Sequence, residues 1–213
     1  MFISMILSPK VMPNIFNPNQ NPFNESRRTQ LLREYAQAVC ELPRNQNPVN
    51  DSSGSKAGLI NPGNPEVFKL AHSRSGPADR RIQVPVGTKL MIPHMVGIVT
   101  EGEVSSGSTL QDMVNKDQDS IISSEVRVNG STVNPNDFIV ETGEFRVNHP
   151  PNNIDDVPQG NNHRAIAKGR VIIVDCDHPE TFKISWRGEL DCNGADCLEN
   201  NYKEKIEYTV EVV

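Results

Sequence analysis

The segment 67–103, VFKLAHSRSGPADRRIQVPVGTKLMIPHMVGIVTEGE, constrains the fold of this chain more than any other. Between Arg81 and Val86 the side chains alternate: Ile82, Val84 and Val86 take one face, and Arg81, Gln83 and Pro85 the other. A period of two marks a half-buried strand, because successive residues leave opposite faces of a sheet. Pro85 has no N–H to give to a ladder, which puts this strand at an edge or at a local break. Gly87 allows a turn. A second alternation follows, with Leu90, Ile92 and His94 on one face and Lys89, Met91, Pro93 and Met95 on the other.

The rest of the chain continues in the same idiom. Val171–Val174 is apolar on both faces, as expected of a central strand covered on both sides. Phe182, Ile184 and Trp186 alternate with Lys183, Ser185 and Arg187, which makes the single tryptophan a core residue. The C-terminal run places Ile206, Tyr208, Val210 and Val212 inward and Lys205, Glu207, Thr209 and Glu211 outward. Asn129-Gly130 suits a hairpin turn, and Leu110, Met113 and Val114 have the spacing of a short helix over 109–119. With 16 prolines and 14 glycines in 213 residues, turns outnumber long helices. About eight or nine short strands between turns predict an all-β chain, a β-sandwich of which the jelly roll is one form. Residues 148–163, NHPPNNIDDVPQGNNH, read as a long polar loop, a length often reserved for function.

Two segments precede the strands. Residues 26–42 read as one amphipathic helix that covers the sheets: Leu31, Tyr35 and Val39 fall four apart, as do Leu32, Ala36 and Cys40, and Ser26 and Pro43 bracket the run. Residues 1–25 read as an extended Asn- and Pro-rich arm, so the domain spans 26–213. Phe16 and Phe23 on that arm are candidates for docking on a neighbouring subunit, giving a homo-oligomer.

The formal charge of −6, with no Lys/Arg cluster beyond Arg80-Arg81, argues against nucleic-acid binding. No apolar run reaches the ~20 residues that cross a bilayer, so no membrane insertion is expected. The start, MFISMILSPKVM, has neither a basic n-region nor a small-residue cleavage site. Asn24, Asn50 and Asn129 head Asn-x-Ser sequons, a feature of exported chains.

The order NPVNDSSG (47–54), VFKLA (67–71), RRIQVPVGTKLMIP (80–93), GRVIIV and a closing YTVEVV resembles a large family of uncharacterised, mostly secreted bacterial and archaeal proteins with a Val-Pro-x-Gly-Lys hairpin motif, which reads VPVGTK here. The chain departs from that family in lacking tryptophans on the first helix and in carrying His94 after Ile-Pro. The resemblance implies a fold and an extracellular or cell-surface location, and no activity.

Candidate chemistry is sparse. Cys192 and Cys197 close a tight loop that suits a local disulfide, while Cys40 and Cys176 either pair or remain free buried thiols. The same loop offers Asp191, Asn193, Asp196 and Glu199 as oxygen ligands for calcium, the one cofactor the sequence suggests. His94 on the core face, with Glu101 and Glu103 beyond it, is the nearest approach to a cupin-like metal site, although a second histidine two residues on is missing. His149 and His163 flank the long loop with Asp155 and Asp156 between them. The resulting expectation is a non-catalytic exported protein that binds or assembles through its arm and sheet edges; the alternative is a metal-dependent enzyme centred on His94.

Overall fold

In the computed structural model the described residues are 13–63, 66–74, 76–191 and 202–213. They form helices α1 (Glu25–Glu41) and α2 (Leu110–Asp119) and ten strands. The strands are β1 (Val67–Lys69), β2 (Ala78–Val84), β3 (Thr88–Thr100), β4 (Ile121–Val128), β5 (Ser131–Val133), β6 (Ile139–Glu141), β7 (Phe145–His149), β8 (Gly160–Cys176), β9 (Glu180–Leu190) and β10 (Tyr202–Val212). They divide into two mixed five-stranded sheets. Sheet A runs β1-β3-β8-β6, with β7 also on β8; sheet B runs β2-β10-β9-β4-β5. β1 with β3 and β2 with β10 are parallel, and every other pair is antiparallel.

Why these residues form these layers follows from their phase. In β2 the residues Ala78, Arg80, Ile82 and Val84 are buried while Asp79, Arg81 and Gln83 are exposed. Leu90 and Ile92 of β3 and Ile172 and Val174 of β8 meet Ile82, Phe182, Ile184, Trp186 and Ile206 in one core between the sheets. Met91, Val171 and Ile173 point the other way, into a second core with Leu31, Leu32, Tyr35 and Val39 of α1. Sheet A is therefore apolar on both faces, as the Val171–Val174 run requires, and sheet B on one. A proline-bearing strand at an edge is also what is found, since β2 ends sheet B just before Pro85. The strand stops at Val84, however, and Val86 beyond it is 43% exposed rather than in the core.

The helix begins at Glu25, not Ser26, because the Asn24 side chain accepts from the Arg27 N–H. Its stripe carries one surprise: Arg28 is fully buried, donating to the carbonyls of Phe23, Phe16 and Val171 and lying over the Phe138 ring. Arg28 thus folds the preceding segment back onto the domain. Ile15 bridges to Val174 of β8, and Phe16 and Phe23 sit edge to face, 4.9 Å apart, in the α1 core. The arm expected to reach a neighbour is, over residues 13–24, part of this chain's own core; Phe16 and Phe23 are 7% and 0% exposed and leave no ring for a partner.

β3 breaks register between His94 and Gly97, with Met95 at φ 47°. The bulge is received by two glycines. A Cβ on Gly169 would meet the Val96 backbone at 2.8 Å, so only glycine fits there, and one on Gly188 would push the Met95 side chain aside. Gln118 at the end of α2 donates to the Met95 and Lys168 carbonyls that the bulge frees.

Candidate functional site

The polar residues inside the domain gather around Arg80. Its guanidinium is 1% exposed and donates to the carbonyls of Asp51, Pro48, Ala71 and His72 and to the Tyr208 hydroxyl. It also lies over the Tyr208 ring, which stacks on Trp186 at 5.5 Å. Four of the five motif segments of the sequence, 47–54, 67–71, 80–93 and the closing YTVEVV, therefore meet at one side chain. Asn47 donates to the Val39 carbonyl and caps the turn at Val49; Asp51 accepts from Ser53, Ser55 and the Lys56 N–H. Partial burial works against the Asp51 carboxylate, but those hydrogen bonds outweigh it and hold its pKa down at about 2. Gly54, at φ 87°, lies against Arg80 Cβ and lets this loop close on β2.

Beside the hub, the Tyr35 hydroxyl and His72 Nδ1 are 2.5 Å apart, and burial with Arg74 and Arg80 nearby pushes His72 down to about 3, so it stays neutral. Glu204 accepts from the Ser73 N–H; burial lifts its pKa to about 7. His94 Nε2 is 2.7 Å from Ser124 Oγ and its Nδ1 is 3.9 Å from Glu204, and burial with Arg170 close by lowers it to about 3. These groups are sealed: His94 is 0% and Glu204 3% exposed.

That arrangement sets where the residues of the His94 metal reading lie. His94 does lie on the core face with Leu90 and Ile92, but its neighbours are Ser124 and Glu204. Glu101 pairs with His163 and Arg164, and Glu103 folds back on Thr100, accepting from its N–H and hydroxyl. The bulge after His94 turns the chain, so the three expected ligands do not converge. Among the described residues no three His, Cys, Asp or Glu side chains are placed to hold a metal ion together. Asp191 is described, but Asn193, Asp196 and Glu199 of the calcium reading, and the Cys192–Cys197 disulfide, lie outside the described residues. Cys40 and Cys176 are both free and buried. Of the sequons, Asn129 is 8% exposed in its hairpin turn and Asn24 is engaged as the helix cap.

Arg80 and Glu204 lie one step of alternation beyond the inward runs that the sequence shows. Arg80 is in phase with Ile82 and Val84, and Glu204 with Ile206; extending each inward run by two residues finds both.

A second cluster lies where β7 and β8 join. The polar loop is shorter than it reads, because β8 starts at Gly160 and His163 is a strand residue. Asn152 and Asp156 hold positive φ of 55° within the loop, pinned by Arg74–Asp155 and Arg44–Asp156 ion pairs. Non-glycine residues in this region are strained and persist only where surrounding contacts enforce them. Cys40 Sγ lies 4.0 Å from Asp155 Oδ2, and burial pushes that thiol well up, away from thiolate chemistry. Burial, together with Asp155, raises Glu103 to about 7. His149 and His163, separate in the sequence, are brought ring to ring at 5.2 Å.

No family model matches the sequence, and no curated protein matches it. Among solved structures, one described as PbICP-C in complex with falcipain-2 aligns over 70% of this chain and 100% of its own, with 10% identity and a TM-score of 0.27. A likeness at that level bears on neither the fold nor the function of this chain.

Proposed function

We propose that this chain is a β-sandwich that acts without catalysis, as an exported binding or assembly domain whose subunit contacts run along the edges of sheet B. The supporting observation is an asymmetry between sheet edges. On sheet A, the Asn61 carboxamide both accepts from the Lys69 N–H and donates to the Lys69 carbonyl, closing β1 as a strand would. At the other side, Arg33, Gln37 and Glu41 of α1 take the Thr142 and Arg146 carbonyls and the Asn148 N–H. On sheet B, β2 and the Ile121–Glu125 half of β4 have ladder partners on one side, β10 and β9, and none on the other among the described residues. Ile122 on the latter is 57% exposed. An unpaired strand edge is a template for another chain.

The reading keeps the hub as scaffold: its titratable groups are closed off by internal hydrogen bonds and hold the motif loops on the sheet. Export rests on the family resemblance. The decisive measurement is native mass spectrometry on the full chain across a concentration series, beside Ile122→Asp. Assembly predicts a discrete oligomer that the variant reduces to monomers with an unchanged melting temperature. A wild-type monomer throughout the series ends the assembly reading.

A further inference from the structure

We propose that His149 and His163 form a binding site for a borderline divalent transition cation, of the zinc or nickel kind, with His163 Nε2 and one ring nitrogen of His149 as the protein ligands and water in the remaining positions. The site is independent of the sheet-edge reading.

The backbone builds the pair. β7 and β8 run in register from Phe145↔Ala165 to Val147↔His163, then slip so that His149 falls opposite Gly160. The extra residue on β8 is accommodated with Asn162 at φ 66°. Asn148 Oδ1 accepts from the Asn162 N–H at 2.9 Å, and Arg146 donates to the Asn162 carbonyl at 2.8 Å, so the bulge is held from both sides. Bulges re-aim the side chains beside them. Here the result is that the His163 ring lies over Gly160, where a Cβ would strike its Nε2. Any other residue at position 160 would displace that nitrogen.

The surroundings of the two rings suit a ligand. Glu101 Oε1 is 3.4 Å from His163 Nδ1, a carboxylate–imidazole pairing that orients the ring from its Nδ1 side. His149 is 2% exposed; one of its ring nitrogens bonds to the Cys40 backbone, and the other has no hydrogen-bond partner among the described residues. Buried polar atoms are almost always satisfied, so a buried imidazole nitrogen left unpaired beside a second, oriented imidazole points to something held between them. The Asp155 and Glu41 carboxylates nearby favour a positive guest. Nitrogen donors select zinc, nickel or copper over calcium or magnesium. With two protein ligands rather than three, the site should bind and exchange rather than hold a permanent structural ion.

Calorimetric titration of Ni2+ into the full chain, in chelator-free buffer, tests this directly. The wild type should take up one saturable equivalent. His163→Ala and Gly160→Ala should abolish it with melting temperatures retained, Glu101→Gln should weaken it about tenfold, and the exposed His178→Ala should leave it unchanged. Because His149 is buried, the proposal stands on His163→Ala and Gly160→Ala even if His149→Ala fails to fold. No saturable uptake by the wild type, or uptake that survives His163→Ala, would overturn it, the latter placing the ion elsewhere on the chain.

Discussion

Sheets A and B have the same number of strands and opposite relations to their surroundings. Sheet A carries α1 and the 13–24 segment on its outer face, and its edges are closed by Asn61 and by α1 side chains. The outer face of sheet B carries Lys183–Glu207, Lys203–Glu189 and Arg187–Glu125 pairs, and no other element packs on it among the described residues. The two outer faces accordingly contribute differently to stability. Burying apolar surface on sheet A stabilises by about 25 cal/mol per Å2, whereas exposed ion pairs on sheet B contribute at most about 1 kcal/mol each. The fold is anchored from one side and available from the other.

The comparison breaks most visibly at Phe23. It is fully buried between the arm and α1, so Phe23→Ala should destabilise by about 3–5 kcal/mol in chemical denaturation. Lys183→Ala on the outer face of sheet B should leave the denaturation midpoint unchanged. A small effect at Phe23 would show that the 13–24 segment is not part of the stable unit, and would restore it as an arm free to reach a neighbour.

The next effect lies at the seam between the sheets, where two buried groups respond to pH in opposite senses. Glu204 has its pKa raised from 4.5 to about 7, so the folded state holds a proton that the unfolded chain releases. Its contribution is complete below pH 4.5 and is lost as pH rises to about 7. His94 is lowered from 6.5 to about 3; its contribution is complete above pH 6.5 and is lost as pH falls towards 3. Relative to wild type, Glu204→Gln should therefore gain stability from pH 4.5 to 7, and His94→Gln should gain it from 6.5 down to 3, each by about 1.4 kcal/mol per pH unit at most. Denaturation midpoints at several pH values measure this. Parallel pH profiles for wild type and both variants would mean that neither group is sealed between the sheets.

How much of this was legible in the residues depended on which sheet they entered. The sheet B strands β2, β9 and β10, wet on one face, alternate cleanly, and the faces of β10 and β2 are legible from Ile206–Val212 and Ile82–Val84 alone. The central strands β3 and β8 of sheet A are buried on both faces, so Val171–Val174 is the legible part of the 17-residue β8, whose polar start reads as loop. The helix stripe was legible because six apolar residues repeat at the helical period, yet Arg28 in the same stripe was not, since its partners are carbonyls far along the chain. Parallel pairing of β1 with β3 and β2 with β10 has no local signature at all. The same holds for the His149–His163 pair: it depends on a one-residue bulge that spacing does not reveal.

The smallest effect tests the edge asymmetry itself. Asn61 is 4% exposed and its carboxamide completes both backbone groups of Lys69, at 2.6 and 2.8 Å. Asn61→Ala removes a donor and an acceptor and leaves the outer edge of β1 open, for a loss of about 1–3 kcal/mol. Hydrogen exchange locates the consequence. If the carboxamide does the work of a missing strand, the Lys69 amide should lose protection in the variant while amides of β9, at the centre of sheet B, keep theirs. The same variant bears on assembly, because an opened β1 gives sheet A the kind of edge that sheet B already has. If capping is what keeps sheet A out of subunit contacts, Asn61→Ala should associate further than wild type in native mass spectra, and Ile122→Asp in the same background should remove only the sheet B contacts. A variant that loses protection at Lys69 without any change in association would show that an open edge is not sufficient, and that the exposed Ile122 side chain, rather than the free backbone, selects sheet B.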